Sequence, residues 1–174
     1  MRSLILGGAR SGKSPLAERL AGGFDDVVYI ATARREPADA EMTARIAHHR
    51  ERRPAHWGCI EEPLALAATL RAQARPGRCL LVDCLNLWLS NLLLDADTDR
   101  FARERAALLQ ALPDLSGATV LVGNEVGMGL VPMGELPRRF VDEAGRLHQD
   151  LAARCERVVF VAAGLPLALK GALP

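Results

Sequence analysis

Residues Gly7-Gly8-Ala9-Arg10-Ser11-Gly12-Lys13-Ser14 fill the template G-x-x-x-x-G-K-[S/T]. An apolar run at 4–6 precedes them and a stretch of helical spacing at 16–20 follows. Strand, glycine turn and helix, in that order, is the context a phosphate-binding loop requires. Gly7, Gly8 and Gly12 are expected to let the backbone turn tightly, so that successive N–H groups point at phosphate oxygens. The helix that follows adds the positive end of its dipole. Lys13 is placed to reach β- and γ-phosphates, and the Ser14 hydroxyl to hold Mg²⁺. Of the 22 basic residues only Lys13 and Lys170 are lysines, so one of the two stands where the motif calls for it. Pro15 fits a first helical turn, but it is expected to push Ser14 away from helical angles.

The length of 174 residues suits a single domain spanning 1–174, with 49% hydrophobic residues to fill its core. A net charge of +1 leaves no electrostatic footprint for nucleic acid or an anionic membrane. The apolar run after Arg2 stops at the glycine loop, which argues against a signal peptide. The longest apolar stretch, 80–94, is interrupted by Asp83, Asn86 and Asn91, so no membrane span is expected. Cys59, Cys79, Cys84 and Cys155 form no C-x-x-C pair, and neither zinc nor disulfides are indicated. These features together read as a cytoplasmic protein.

Apolar runs at 4–6, 27–31, 79–82, 119–122 and 158–161 are candidate strands. Helical patterns lie between them near 15–22, 39–52, 63–74, 98–111 and 136–154. The alternation predicts an α/β fold of the P-loop NTPase type, a mostly parallel sheet with helices on both faces. Ligands of such sheets sit at the carboxyl ends of the strands. Attention therefore falls on Thr32-Ala33-Arg34, Asp83-Cys84, Gly123-Asn124-Glu125 and Ala163-Gly164. Asp83 closes the run Cys79-Leu80-Leu81-Val82 as a Walker B carboxylate would, and is the second expected Mg²⁺ ligand. Glu125 either faces a substrate or belongs to a flexible glycine-containing connection, and the sequence leaves both open. Trp57 reads as core.

The stretch 34–53 holds six arginines and the pair His48-His49. On a helix Met42 and Ile46 share a face. At about 100° per residue His49 lies about 40° from that stripe and His48 about 140° away. His48 is then displayed on the open side with Arg45 and Arg52. An imidazole between arginines suits attack on a phosphate: the cations neutralise charge and lower the ring's pKa, keeping the nucleophile neutral.

The blocks GGARSGKS at 7–14, YIATA at 29–33, EMTARIAHHRERRPAHW at 41–57, LLVDCLNLWLSNLL at 80–93, NEVGMGLVP at 124–132 and AGLPLALK at 163–170 run in order over nearly the whole chain. In them the chain resembles the bifunctional adenosylcobinamide kinase/adenosylcobinamide-phosphate guanylyltransferase family of cobalamin biosynthesis. The resemblance implies two reactions. A nucleoside triphosphate (ATP or GTP) phosphorylates the aminopropanol hydroxyl of adenosylcobinamide. A histidine then takes GMP from GTP and passes it to adenosylcobinamide phosphate. The family nucleophile maps onto His48. The nucleotide contacts map onto 7–14, Thr32, Ala33, Arg34, His49, Arg50, Glu51, Arg52, Glu61 and Asp83. A homotrimer with the corrinoid between subunits is implied in the same way. The chain departs from the family at Pro15, and at Val141 and His148, which stand where the family's FRD-x-x-G-x-x-NQ block has Arg and Asn.

Two other readings share the loop. A plain small-molecule P-loop kinase would use the arginine-rich segment as a lid. A nucleotide-dependent switch would need a guanine-reading N-K-x-D, and the sequence has none.

Overall fold

The structure, a computed structural model, describes residues 1–34 and 54–173. Among the described residues seven strands form one sheet: β1 Arg2–Gly7, β2 Asp26–Ala31, β3 Gly58–Glu61, β4 Arg78–Asp83, β5 Ala118–Asn124, β6 Arg157–Ala162 and β7 Leu165–Lys170. Their order is β3-β2-β4-β5-β1-β6-β7, and every pairing is parallel except β6 with β7. The described helices are α1 Lys13–Ala21, α2 Leu66–Gln73, α3 Leu85–Leu93, α4 Arg100–Ala111 and α5 Glu135–Arg154.

Alternation along the central strands divides the core in two. Leu4, Leu6, Val28, Ile30, Leu80, Val82 and Leu121 face one side. Ile5, Val27, Tyr29, Cys79, Leu81, Val120 and Val122 face the other. Both sets are apolar because helices cover both faces, which is why these strands read as unbroken hydrophobic runs. Leu16, Ala17 and Ala21 of α1 cover the second face. The first face takes Leu66 and Leu70 of α2, Leu85, Trp88 and Leu92 of α3, Leu108 of α4, and Leu147 and Leu151 of α5. The five expected strands and four of the expected helices are present, and the fifth helical pattern, 39–52, lies outside the described residues.

Three elements depart from the sequence reading. Strand β3 lies at one edge of the sheet and is largely exposed, so its Gly-Cys-Ile-Glu carries no apolar run to mark it. Strand β7 closes the other edge through a two-residue turn with Ala163 at φ 52° and Gly164 at φ 79°. Positive φ at both central residues matches the twist of a tight hairpin, and Pro166 is tolerated on an edge. The run 80–94 divides into β4 and α3, because an apolar stretch buried all round has no periodicity to separate strand from helix. Ser14 lies within α1 despite Pro15, since the proline's missing N–H has no partner to lose in a first turn.

Candidate functional site

The carboxyl ends of β1, β5 and β4 lie side by side. Gly7 is level with Asn124, and Asp83 with Val122. Strand β5 thus separates the strand that feeds the phosphate loop from the strand that carries the carboxylate. The loop turns on two of its glycines. A Cβ on Gly7 would come within 2.4 Å of the Val161 carbonyl oxygen. Gly12 has φ 98°, and a Cβ there would lie 3.0 Å from the Gly164 Cα. Gly8 was expected to be needed as well. It takes no positive φ, and an added Cβ would meet nothing within 4 Å, so its lack of a side chain leaves room without being required by the fold.

Arg10 takes φ 56° at the loop's tip. The Gly164 N–H donates to the Ser11 carbonyl at 2.8 Å, so the hairpin turn after β6 braces the loop from behind. The Ser11 Oγ is buried and has no hydrogen-bond partner among the described residues. A buried hydroxyl without a partner costs stability unless a ligand or water satisfies it.

Lys13 opens α1 and is almost fully buried. Its Nζ donates to the Gly8 carbonyl at 3.0 Å, spanning the mouth of the loop. Burial lowers its pKa, and the charge of Asp83 opposes that shift, so the two groups share one field. Asp83 and Ser14 are both half-buried. One carboxylate and one hydroxyl suit Mg²⁺, which keeps water and phosphate oxygens as its remaining ligands, and among the described residues no cluster of three metal-binding side chains offers an alternative.

The other candidate residues sort by position. The Thr32 side chain is fully buried: its hydroxyl donates to the Cys84 carbonyl at 2.7 Å and accepts from the Cys84 N–H at 3.0 Å. Any nucleotide contact at this position therefore comes from the backbone. Ala33 follows half-buried, and Arg34 is exposed with its guanidinium on Asp95 at 3.0 Å. Glu61 ends β3 on the surface, while its neighbour Glu62 ties the turn before α2 by accepting from the Leu64 and Ala65 N–H groups at 2.8 and 2.7 Å. Gly7 through Ser14, Asp83, Thr32, Ala33 and Arg34 therefore gather at one sheet edge, with Glu61 on its far strand. His48, His49, Arg50, Glu51 and Arg52 lie outside the described residues.

Three residues of this edge escaped the sequence reading as functional candidates. The Asn86 amide donates to the Asn124 carbonyl at 3.1 Å and its Oδ1 accepts the Asn124 N–H at 2.5 Å, which fixes the end of β5. Asn91 donates to the Thr32 and Pro63 carbonyls at 2.7 and 3.1 Å, tying β2 to the segment after β3. The signal was two amides inside an apolar run, where a polar side chain is retained only if it is hydrogen-bonded. His148 is buried on α5 with its Nε2 over Gly123, 2.8 Å from where a Cβ would stand. Burial lowers its pKa, with the charge of Glu125 opposing. Glu125 is anchored to the loop, its N–H donating to the Gly7 carbonyl at 3.0 Å.

Cys79, Cys84 and Cys155 are free and buried, and burial pushes them up to about 12, 11 and 12. Trp57, read as core, packs half-buried against the second cluster.

Residues 3–169 match the model of a family described as cobinamide kinase / cobinamide phosphate guanyltransferase. The chain is 65% identical over 172 residues to the bifunctional adenosylcobalamin biosynthesis protein CobP of Pseudomonas aeruginosa, covering 98% of each. It is 41% identical over 183 residues to the bifunctional adenosylcobalamin biosynthesis protein CobU of Escherichia coli K12, covering 98% of this chain and 100% of that protein. Among solved structures, a Pyrococcus horikoshii OT3 protein matches with a TM-score of 0.54 at 8% identity, over 99% of this chain and 87% of the other. The ATPase EscN of the enteropathogenic E. coli type III secretion system matches with a TM-score of 0.52 at 12% identity, over 93% of this chain and 43% of the other. At these identities the structural likeness speaks for the fold alone.

Proposed function

The chain belongs to the cobinamide kinase / cobinamide phosphate guanyltransferase family, and we propose from that premise how its own residues carry the two reactions. It is a bifunctional enzyme of adenosylcobalamin biosynthesis that phosphorylates cobinamide and transfers GMP to cobinamide phosphate. The observation that carries the reading is the gathering of the phosphate loop, Lys13 and Asp83 at one edge of the sheet, within a chain that matches this family from residue 3 to 169.

Both reactions use that edge. In the first, the acceptor hydroxyl gives up its proton to solvent, its oxygen bonds to the γ-phosphorus of ATP or GTP, the bond to the β–γ bridging oxygen breaks, and the nucleoside diphosphate leaves. Lys13 and the loop N–H groups meet the charge that develops on the departing oxygens, an effect worth on the order of 10²–10³ in rate per donor. In the second, a ring nitrogen of His48 bonds to the α-phosphorus of GTP and pyrophosphate leaves. A phosphate oxygen of adenosylcobinamide phosphate then takes the guanylyl group, the P–N bond breaks, and the imidazole recovers its electron pair. Ser14 and Asp83 would hold Mg²⁺, which when bound neutralises phosphate charge. Ala9, Arg10 and Ser11 close the loop around the phosphates, and Thr32, Ala33, Arg34, Glu61 and the segment His49 to Arg52 complete the nucleotide contacts. The Arg34–Asp95 ion pair supports the part given to Arg34 by fixing its guanidinium beside the end of α3.

The same reading takes 1–174 as one domain, acting in the cytoplasm where nucleoside triphosphates are made. Among the described residues no helix is long and apolar enough to cross a membrane. It also takes the assembly to be a homotrimer. The row Leu165, Leu167 and Leu169, exposed on the edge strand β7, supports a covered surface in the assembly.

The test is covalent labelling. Protein incubated with Mg²⁺ and GTP labelled at the α-phosphate, then denatured, is expected to retain an acid-labile, base-stable label that His48→Ala abolishes. Label that persists in His48→Ala, or adenosylcobinamide-GDP formed at wild-type rate by that variant, removes His48 from the mechanism.

A further inference from the structure

We propose that the apolar groove between α3 and α5 is the seat of the corrinoid, receiving one edge of the ring and presenting its side-chain hydroxyl at Glu125. This rests on the cobinamide-kinase reading above.

The groove has a volume of about 350 Å³ and is walled by Leu93 and Leu94 at the end of α3, Pro132 of the preceding loop, and Leu136, Phe140 and Val141 at the start of α5. Among the described residues no charged side chain lines it. The loop above it continues the apolar surface: Met128, Leu130, Val131 and Met133 are between 78% and 97% exposed, so nothing in the described chain covers them. An exposed apolar patch on this scale marks a binding surface, and methionines adapt to irregular partners.

Its position selects the occupant. Helix α3 runs along the carboxyl edge of the sheet, held to the end of β5 by Asn86 and to the end of β2 by Asn91. One wall of the groove is therefore built on the same edge as the phosphate loop. Gly127 links the two. A Cβ there would lie 3.9 Å from Val141 Cγ1 in the groove wall and 3.1 Å from Glu125 Oε1. The Glu125 N–H is in turn bonded to the Gly7 carbonyl. From groove to phosphate loop the path is Val141, Gly127, Glu125, Gly7.

The acceptor of a phosphoryl transfer must lie beside the γ-phosphate, so the rest of that molecule must rest on protein adjoining it. Among the described residues the walls of this groove are uncharged and mostly apolar, unsuited to a second nucleotide. A corrinoid offers a broad ring whose periphery carries methyl groups between its amide arms. The groove is near the small end of sites that enclose a whole drug-sized ligand, so a ring of that breadth inserts one edge and lays its face against the methionine-bearing loop.

The experiment measures binding of adenosylcobinamide by equilibrium dialysis, read from the corrinoid's own visible absorbance. The variants are Leu94→Glu and Leu136→Glu, at side chains exposed enough for the fold to tolerate a charge. Both are expected to weaken corrinoid binding at least tenfold and to raise the corrinoid KM of the kinase step. GTP affinity, guanylyl labelling and oligomeric mass are expected to match wild type. Corrinoid affinity equal to wild type in both variants overturns the proposal. So does a weakened affinity accompanied by a changed oligomeric mass, which assigns the face to a second copy of the chain. Failure of wild-type protein itself to bind adenosylcobinamide is a separate result, and it defeats the cobinamide reading rather than the location of the groove.

Discussion

The backbone N–H of Gly164 donates to the carbonyl of Ser11 at 2.8 Å, pinning the phosphate loop to the turn between the last two strands. The same turn limits Gly12, whose missing side chain lets the Gly164 Cα approach. Gly12→Ala puts a methyl group 3.0 Å from that backbone at φ 98°, where neither the turn nor the φ angle can accommodate it. The variant is expected to lose about 1–3 kcal/mol of stability and to bind nucleotide more weakly, measured by urea denaturation and GTP titration.

Lys13 costs the free protein stability: burial lowers the pKa of its cation, and among the described residues a carbonyl and the field of Asp83 offset that burial in part. Lys13→Met keeps the packing and removes the charge. Stability is expected to stay within about 1 kcal/mol of wild type or to rise, while turnover of both reactions falls about 10²–10³-fold. A large loss of stability would mean that the lysine holds the loop together instead.

Asn86 makes two hydrogen bonds to the backbone of Asn124 from a buried position. Asn86→Ala leaves both backbone groups without those partners and is expected to cost about 2–4 kcal/mol. Because Asn124 precedes Glu125, the kinase step is expected to fall more than guanylyl labelling in the same preparation.

Burial holds His148 below the ordinary histidine pKa, with Glu125 acting in the opposite direction. As pH falls through about 6.5 the unfolded chain takes up a proton that the folded chain refuses, so stability declines from there down to the folded-state value. His148→Asn is expected to flatten the stability profile between pH 7 and 5, read from urea midpoints. An unchanged slope would mean that this imidazole titrates as freely folded as unfolded.

Gly123 leaves the space that His148 fills. Gly123→Ala sets a methyl group 2.8 Å from His148 Nε2 and 3.0 Å from Leu6 Cδ2. The expected cost is about 1–3 kcal/mol, and Gly123→Ala/His148→Ala together should recover part of what the first loses.

Elements whose signal is local were legible in the chain alone. The motif at 7–14 named the phosphate loop, unbroken apolar runs named the five central strands, and helical spacing named α1, α2, α4 and α5. The ordered blocks from 7 to 170 named the family. Neighbourhood in the sheet was decided only by the tertiary structure. That β5 separates β1 from β4, and so brings Asn124 and Glu125 between the loop and Asp83, follows from long-range pairing that no stretch of sequence encodes alone. Strands β3 and β7 were illegible because edge strands bury little and need no hydrophobic run. Gly8 looked as necessary as Gly7 and Gly12 until a neighbouring strand and turn showed which two the packing constrains. Asn86 and Asn91 read as interruptions because a buried amide acquires its meaning from the backbone groups it meets, and those lie far away in the chain.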